Sequence, residues 1–174
     1  MTTPVFPTRG QSADLIRSKV RDIPDFPKPG VLFRDITGVW KHPESFRACM
    51  DVFMDHYFPG GDAATSGRAA ATDDGPVVRP PLVVGIESRG FVVGSAFAGR
   101  SGLGFVPIRK RGKLPAEVHS YEYDLEYGTD CVEIHTDWLE PGQSVIVMDD
   151  LLATGGTLLA SLELLKRVGA HVAG

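Results

Sequence analysis

The 174-residue chain, 43% hydrophobic and 23% charged, has the composition of a globular protein and the length for one domain with a sizeable core. A formal net charge of −4 argues against a general nucleic-acid binder, and no apolar run approaches the roughly 20 residues of a membrane-spanning helix. The N-terminus lacks the basic and apolar regions of a signal peptide, Cys49 and Cys131 lack metal-ligand spacing, and no asparagine is present to form a glycosylation sequon; these features predict a cytoplasmic protein with reduced thiols.

Residues 1–11 read as a loose tail. Ser12 can cap a helix through Arg21, which must stop at Ile23 because Pro24, Pro27 and Pro29 remove donors and force an extended path. Gly30 then opens the turn into an extended segment, Val31 to Thr37. Phe33 and Arg34 on this rigid segment could form a wall for a flat ligand, or the segment could be a plain connector that packs Phe33 into the core. Pro43 starts a second helix, and Phe46, Met50, Phe53, Met54 and Tyr57 recur along it at helical spacing, which predicts core packing. Residues 59–81 are rich in Pro, Gly, Ala, Thr, Ser and Asp without periodicity and read as a flexible surface loop.

Leu82 to Ile86 is a continuous apolar run, as in strands buried on both faces of a parallel sheet, and it ends in Glu87-Ser88-Arg89-Gly90 before an apolar helix, Phe91 to Arg100. Gly104 to Ile108 is the next strand, and it runs into Arg109-Lys110-Arg111-Gly112-Lys113. Both polar segments fall at the C-terminal ends of strands, where open α/β sheets place their ligands. A charge run is usually a solvated face, but here a polyanion site is the stronger reading. Residues 114–137, with Gly128 as the turn, predict a β-hairpin or arm that could fold over a site as a lid. His119 and His135 are surface or hydrogen-bonded histidines on this reading, since no third ligand accompanies either to make a zinc site.

Val145-Ile146-Val147-Met148 then runs directly into Asp149-Asp150, and Ala153-Thr154-Gly155-Gly156-Thr157 leads into an apolar segment, Leu158 to Val168. This predicts a buried strand, a tight loop and a helix whose N-terminal N–H groups favour an anion. The loop holds no lysine, so it is not the loop of nucleoside triphosphatases, and it lacks the GxGxxG spacing of dinucleotide binders. Two buried carboxylates are costly unless hydrogen-bonded or neutralised by a metal, and vicinal ribose hydroxyls with Mg²⁺ nearby would satisfy them. The site therefore suits one sugar phosphate, with a second anionic group left to Arg89, Arg109 and Lys110.

Val147 to Thr157 resembles the phosphoribosyl-pyrophosphate motif of the type I phosphoribosyltransferases. Four further stretches make the chain similar to the adenine phosphoribosyltransferase family: Ile23-Pro24-Asp25-Phe26-Pro27-Lys28-Pro29-Gly30-Val31-Leu32-Phe33-Arg34-Asp35-Ile36, Glu87-Ser88-Arg89-Gly90-Phe91, Ile108 to Pro115, and Leu125-Glu126-Tyr127-Gly128. The resemblance implies an α/β, type I phosphoribosyltransferase fold. Its mainly parallel sheet is flanked by helices, with an N-terminal hood over 1–40 and a β-hairpin lid within 109–137. It implies that adenine and phosphoribosyl pyrophosphate give AMP and pyrophosphate with Mg²⁺ held through the substrate, with Asp149 and Asp150 as candidate protein contacts, in a homodimer.

By the same resemblance Asp149 and Asp150 hold the ribose hydroxyls and oppose positive charge at C1, and Ala153, Thr154, Gly155, Gly156 and Thr157 hold the 5-phosphate. Ser88 and Arg89 lie in the pyrophosphate loop, where a non-proline cis peptide is implied, and Arg109 and Lys113 contact pyrophosphate. Leu32, Phe33 and Arg34 form the adenine site. Glu126 and Tyr127 close over the reacting centre, with Glu126 the proton-transfer group at adenine N9. Residues 59–81 are an insertion relative to short family members. The family pattern also continues after the motif helix with a further strand, which would begin at His171-Val172-Ala173-Gly174, where the sequence stops, so that strand is expected to be missing. Two rival readings are a phosphoribosyl-pyrophosphate-sensing regulator and an enzyme for hypoxanthine, xanthine or orotate. The acidic charge and the absence of a helix-turn-helix disfavour the regulator.

Overall fold

A computed structural model of the chain describes residues 9–59, 80–125 and 128–174. The chain divides into two compact units, residues 1–61 and 62–174. Most of the expected 59–81 insertion, and Glu126 and Tyr127 of the expected lid, lie outside the described residues.

In the first unit, helix α1 (Arg9–Lys19) ends earlier than the sequence predicts, and Arg21–Pro24 is a strand, β1. The strand wins because Ile23, preceding a proline, is biased to extended backbone, and pairing with β2 (Leu32–Asp35) then supplies the hydrogen bonds a helix would have made. Between them Asp25 sits at φ 58°, its Oδ1 accepts the Gly30 N–H at 2.8 Å, and the Phe26–Pro27 peptide is cis. A short helix α2 (Thr37–Lys41) follows, which the sequence reading missed. Its signal was Asp35, whose Oδ1 accepts from both Thr37 N and Thr37 Oγ1.

Helix α3 (Pro43–Tyr57) starts at the predicted proline, but the predicted stripe is only partly core. Met50 is buried, whereas Phe46, Phe53, Met54 and Tyr57 are half-buried, and the closest packing falls to Ser45 and Ala48. Small side chains take these positions because α1 and α2 pack directly on α3.

The second unit is a six-stranded sheet in the order β5-β6-β4-β3-β7-β8. Strands β3 (Leu82–Ile86), β4 (Phe105–Lys110), β7 (Ser144–Met148) and β8 (His171–Val172) pair in parallel, so the strand expected to be missing after the motif helix is present over two residues, held by its ladder to β7. The hairpin β5 (Val118–Leu125) and β6 (Gly128–His135) joins the β4 edge antiparallel, so the predicted arm is part of the main sheet. Its inner strand is deeply covered: Cys131 to His135 are all buried, and the His135 ring packs at a tilt against Trp138. Helix α4 (Gly90–Ser101) packs on β3, β4 and β7, and helix α5 (Gly156–Arg167) packs on β5, β6 and β8. Val84, Ile108, Val132, Ile134, Val145, Leu164 and Leu165 form the core between α5 and the sheet. Parallel pairing of β3, β4 and β7 brings the segments after all three strands to one edge, which positions the site.

Candidate active site

At that edge β7 stops at Met148, and Asp149 and Asp150 follow beyond the ladder. The alternation that would send adjacent side chains to opposite faces therefore no longer holds. Asp149 Oδ1 accepts the Asp150 N–H at 2.9 Å. Burial pushes the Asp149 carboxyl up to about 6, with Asp150 adding repulsion that Arg89 partly offsets. Asp150 is the more enclosed, its side chain 4% exposed with Arg89 Nε 3.1 Å from Oδ2. That contact is ionic without hydrogen-bond alignment, so Oδ2 is a buried acceptor awaiting a donor. Vicinal hydroxyls are donors of the required kind.

Gly90 explains how the α4 N-terminus approaches this pair. A Cβ there would lie 2.8 Å from Met148 O and 3.0 Å from Asp149 Oδ1, so only glycine fits. The Glu87–Ser88 peptide just before it is cis, as the resemblance implied for this loop.

After Asp150 the chain turns through Leu151 to Gly155, and α5 begins at Gly156, two residues before the predicted start. Gly155 takes φ 83°, a left-handed conformation that favours glycine and aims the first-turn N–H groups into the loop. Asp149 and Leu151 to Leu158 line a cavity of about 110 Å³ there. No side chain caps the helix. A phosphate monoester suits such a cavity, because free N–H groups and the helix dipole both favour an anion.

The cation cluster is arranged differently from the sequence expectation. β4 continues through Lys110, so Arg109 and Lys110 are strand residues with opposed side chains. On one side Glu87 gathers Arg109 Nε at 3.2 Å, the Lys110 backbone N–H at 3.0 Å and the Lys113 ammonium. Burial works against ionisation of Glu87, but the hydrogen bonds from Lys113 and Lys110 and the charge of Arg109 outweigh it and hold the carboxyl below its usual range. On the other side Lys110 Nζ donates to Tyr123 Oη and to Asp130. Burial lowers the Lys110 pKa, yet these two partners more than reverse the effect and hold the ammonium charged. Glu87, Tyr123 and Asp130 were missed as site residues. Tyr123 and Asp130 are cross-strand partners, so strand register was the one signal that could have found them.

In the first unit Leu32 is 50% exposed, Phe33 packs edge-on against Phe26 at 5.2 Å, and Arg34 pairs with Asp22 across the β1–β2 ladder. Phe33 thus has a partner within its own segment and an apolar neighbour, Leu32, left open.

Residues 78–174 match the phosphoribosyl transferase domain family. The adenine phosphoribosyltransferase of Nostoc punctiforme is 49% identical over 159 residues, covering 91% of this chain and 83% of that protein. Among solved structures, the adenine phosphoribosyltransferase of Saccharomyces cerevisiae superposes with TM-score 0.79 at 34% identity, over 94% of this chain and 85% of that one. The Rhodothermus marinus adenine phosphoribosyltransferase gives 0.77 at 39% identity, over 95% and 84%.

Proposed function

Because the chain belongs to the adenine phosphoribosyltransferases of the phosphoribosyl transferase family, we propose a working site on the second unit around Asp149, Asp150 and the 153–157 loop. The reaction itself follows from membership: the phosphoribosyl group of 5-phosphoribosyl 1-pyrophosphate passes to adenine, giving AMP and pyrophosphate. The bond from C1 to the pyrophosphate oxygen breaks, the bond from C1 to adenine N9 forms, and N9 gives up its proton. The Saccharomyces relative is described with adenine and an imino-altritol bisphosphate, a ligand that carries two phosphates as phosphoribosyl pyrophosphate carries two anionic ends.

The observation that carries the site assignment is the junction of two carboxylates with a glycine-capped helix N-terminus over a cavity of phosphate size. Ala153 to Thr157 hold the 5-phosphate. Asp150 Oδ2 takes a ribose hydroxyl, and the two carboxylates oppose the positive charge that grows at C1. Ser88, Arg89, Arg109 and Lys113 meet the pyrophosphate, with Arg109 and Lys113 exchanging Glu87 for it. The assignment of Leu32, Phe33 and Arg34 to the base, and of Glu126 and Tyr127 to the reacting centre, rests on the resemblance of their segments.

Mg²⁺ belongs to the same proposal. Among the described residues no three metal-ligating side chains gather into a cage. The adjacent carboxylates Asp149 and Asp150 instead fit an ion that arrives on the substrate and keeps most of its waters. When bound, the ion would neutralise pyrophosphate charge. The homodimer is likewise a proposal drawn from the family, and the cytoplasmic location is one drawn from the sequence.

The test is nucleotide formation from phosphoribosyl pyrophosphate and Mg²⁺ with adenine, hypoxanthine, xanthine, guanine and orotate in separate reactions. AMP should form efficiently and the other nucleotides poorly. Preference for another base would overturn the adenine assignment.

A further inference from the structure

Tyr123 lies on β5, outside the phosphate loop, yet its hydroxyl is 3.0 Å from Thr157 Oγ1. Its ring edge also borders the loop, with Cε2 3.9 Å from where a Cβ on Gly156 would sit. The same phenol oxygen receives the Lys110 ammonium, and its hydroxyl donates to Asp130 Oδ2 at 3.1 Å. An ammonium has donors and no acceptor, so at this contact the phenol oxygen must accept. The phenol proton is left with two outlets, Asp130 or Thr157. Asp130 holds that proton in the ligand-free chain, and it can release it because Lys110 also donates to Oδ2 and the Cys131 N–H donates to Oδ1 at 2.7 Å.

A phosphate monoester in the loop only accepts, so it needs the proton of the Thr157 hydroxyl. Thr157 can give that proton only if it is not already donating to Tyr123. Thr157 Oγ1 is then open as an acceptor, and the phenol proton turns from Asp130 to it. We propose that Tyr123 is a positioning residue for the 5-phosphate, the middle of a one-way donor chain running from Lys110 to Tyr123 to Thr157 to phosphate. Each donor polarises the next, which strengthens the final bond, and the charged ammonium at the head fixes the direction. The inference rests on the reading of residues 153–157 as the 5-phosphate loop. It moves Lys110 from the pyrophosphate end of the substrate to the opposite end, acting through Tyr123.

Calorimetric titration with ribose 5-phosphate reads the loop without turnover. Tyr123→Phe keeps the ring and removes the relay, and should weaken binding about tenfold, the usual scale for one hydrogen bond to a charged group. Thr157→Val should weaken it comparably, and adding Tyr123→Phe to that variant should cost nothing more. In turnover assays of Tyr123→Phe, the KM for phosphoribosyl pyrophosphate should rise while the KM for adenine stays. Unchanged ribose 5-phosphate affinity in Tyr123→Phe, or losses that simply add in the double variant, would overturn the relay. If Tyr123→Phe folds poorly, Lys110→Met supplies the second route. It should weaken ribose 5-phosphate binding in the wild-type background and not in the Thr157→Val background, and equal loss in both contradicts the chain. A wild-type protein that binds ribose 5-phosphate but makes no AMP sinks the transferase reading and leaves the relay standing. Failure of the wild type to bind ribose 5-phosphate sinks the relay together with the loop.

Discussion

Burial works against the charged form of Asp149, and that has a measurable sign. Its folded-state pKa of about 6 lies above the ordinary 3.8, so folding penalises the carboxylate and favours the acid. The penalty is fully present above about pH 6 and is relieved as pH falls toward 3.8. The wild type should therefore gain stability relative to Asp149→Asn when pH drops from about 7 to about 4, read from urea midpoints. A difference between the two proteins that stays flat or runs the other way contradicts the burial of Asp149. Glu126 carries a kinetic prediction. On its proposed role at N9, Glu126→Gln should lower kcat by roughly 10²–10⁴-fold with little loss of phosphoribosyl-pyrophosphate affinity. Unchanged turnover would remove Glu126 from the chemistry.

Among the elements, α4 and β7 meet with no room for a methyl group at Gly90. Gly90→Ala should cost about 1–3 kcal/mol in chemical denaturation, because the neighbours it strikes are backbone and the Asp149 carboxylate. A neutral effect would mean that the α4 N-terminus does not sit against Asp149. The same junction marks what could be read from sequence. β3 and β7 were legible because unbroken apolar runs ending in polar residues have few other folded fates, and the 153–157 turn was legible because its glycines leave little choice. α2 and β1 were not, since each is short and decided by a partner: Asp35 for the helix, and β2 for the strand that replaced the end of α1. The opposed roles of Arg109 and Lys110 were hidden for a related reason. Both read as cations after a strand, and only the extension of β4 through Lys110 sends one to Glu87 and the other to Tyr123 and Asp130.

At the scale of the whole molecule, an acidic chain pairs its clustered cations with internal carboxylates. Arg109 and Lys113 share Glu87, and Lys110 shares Asp130. With no protein cage for a metal among the described residues, Mg²⁺ should matter to turnover and not to folding. Chelation should abolish AMP formation, added Mg²⁺ should restore it, and the Tm of the ligand-free protein should not move. A Tm that falls on chelation would reveal a structural metal instead. The chain also covers 83–85% of the length of the adenine phosphoribosyltransferases compared above. The most direct measurement is the stoichiometry of products from phosphoribosyl pyrophosphate, with and without adenine. The wild type should release one pyrophosphate per AMP formed and almost none without adenine. Binding of phosphoribosyl pyrophosphate with no AMP, or pyrophosphate released without AMP, would contradict transfer to adenine at this site.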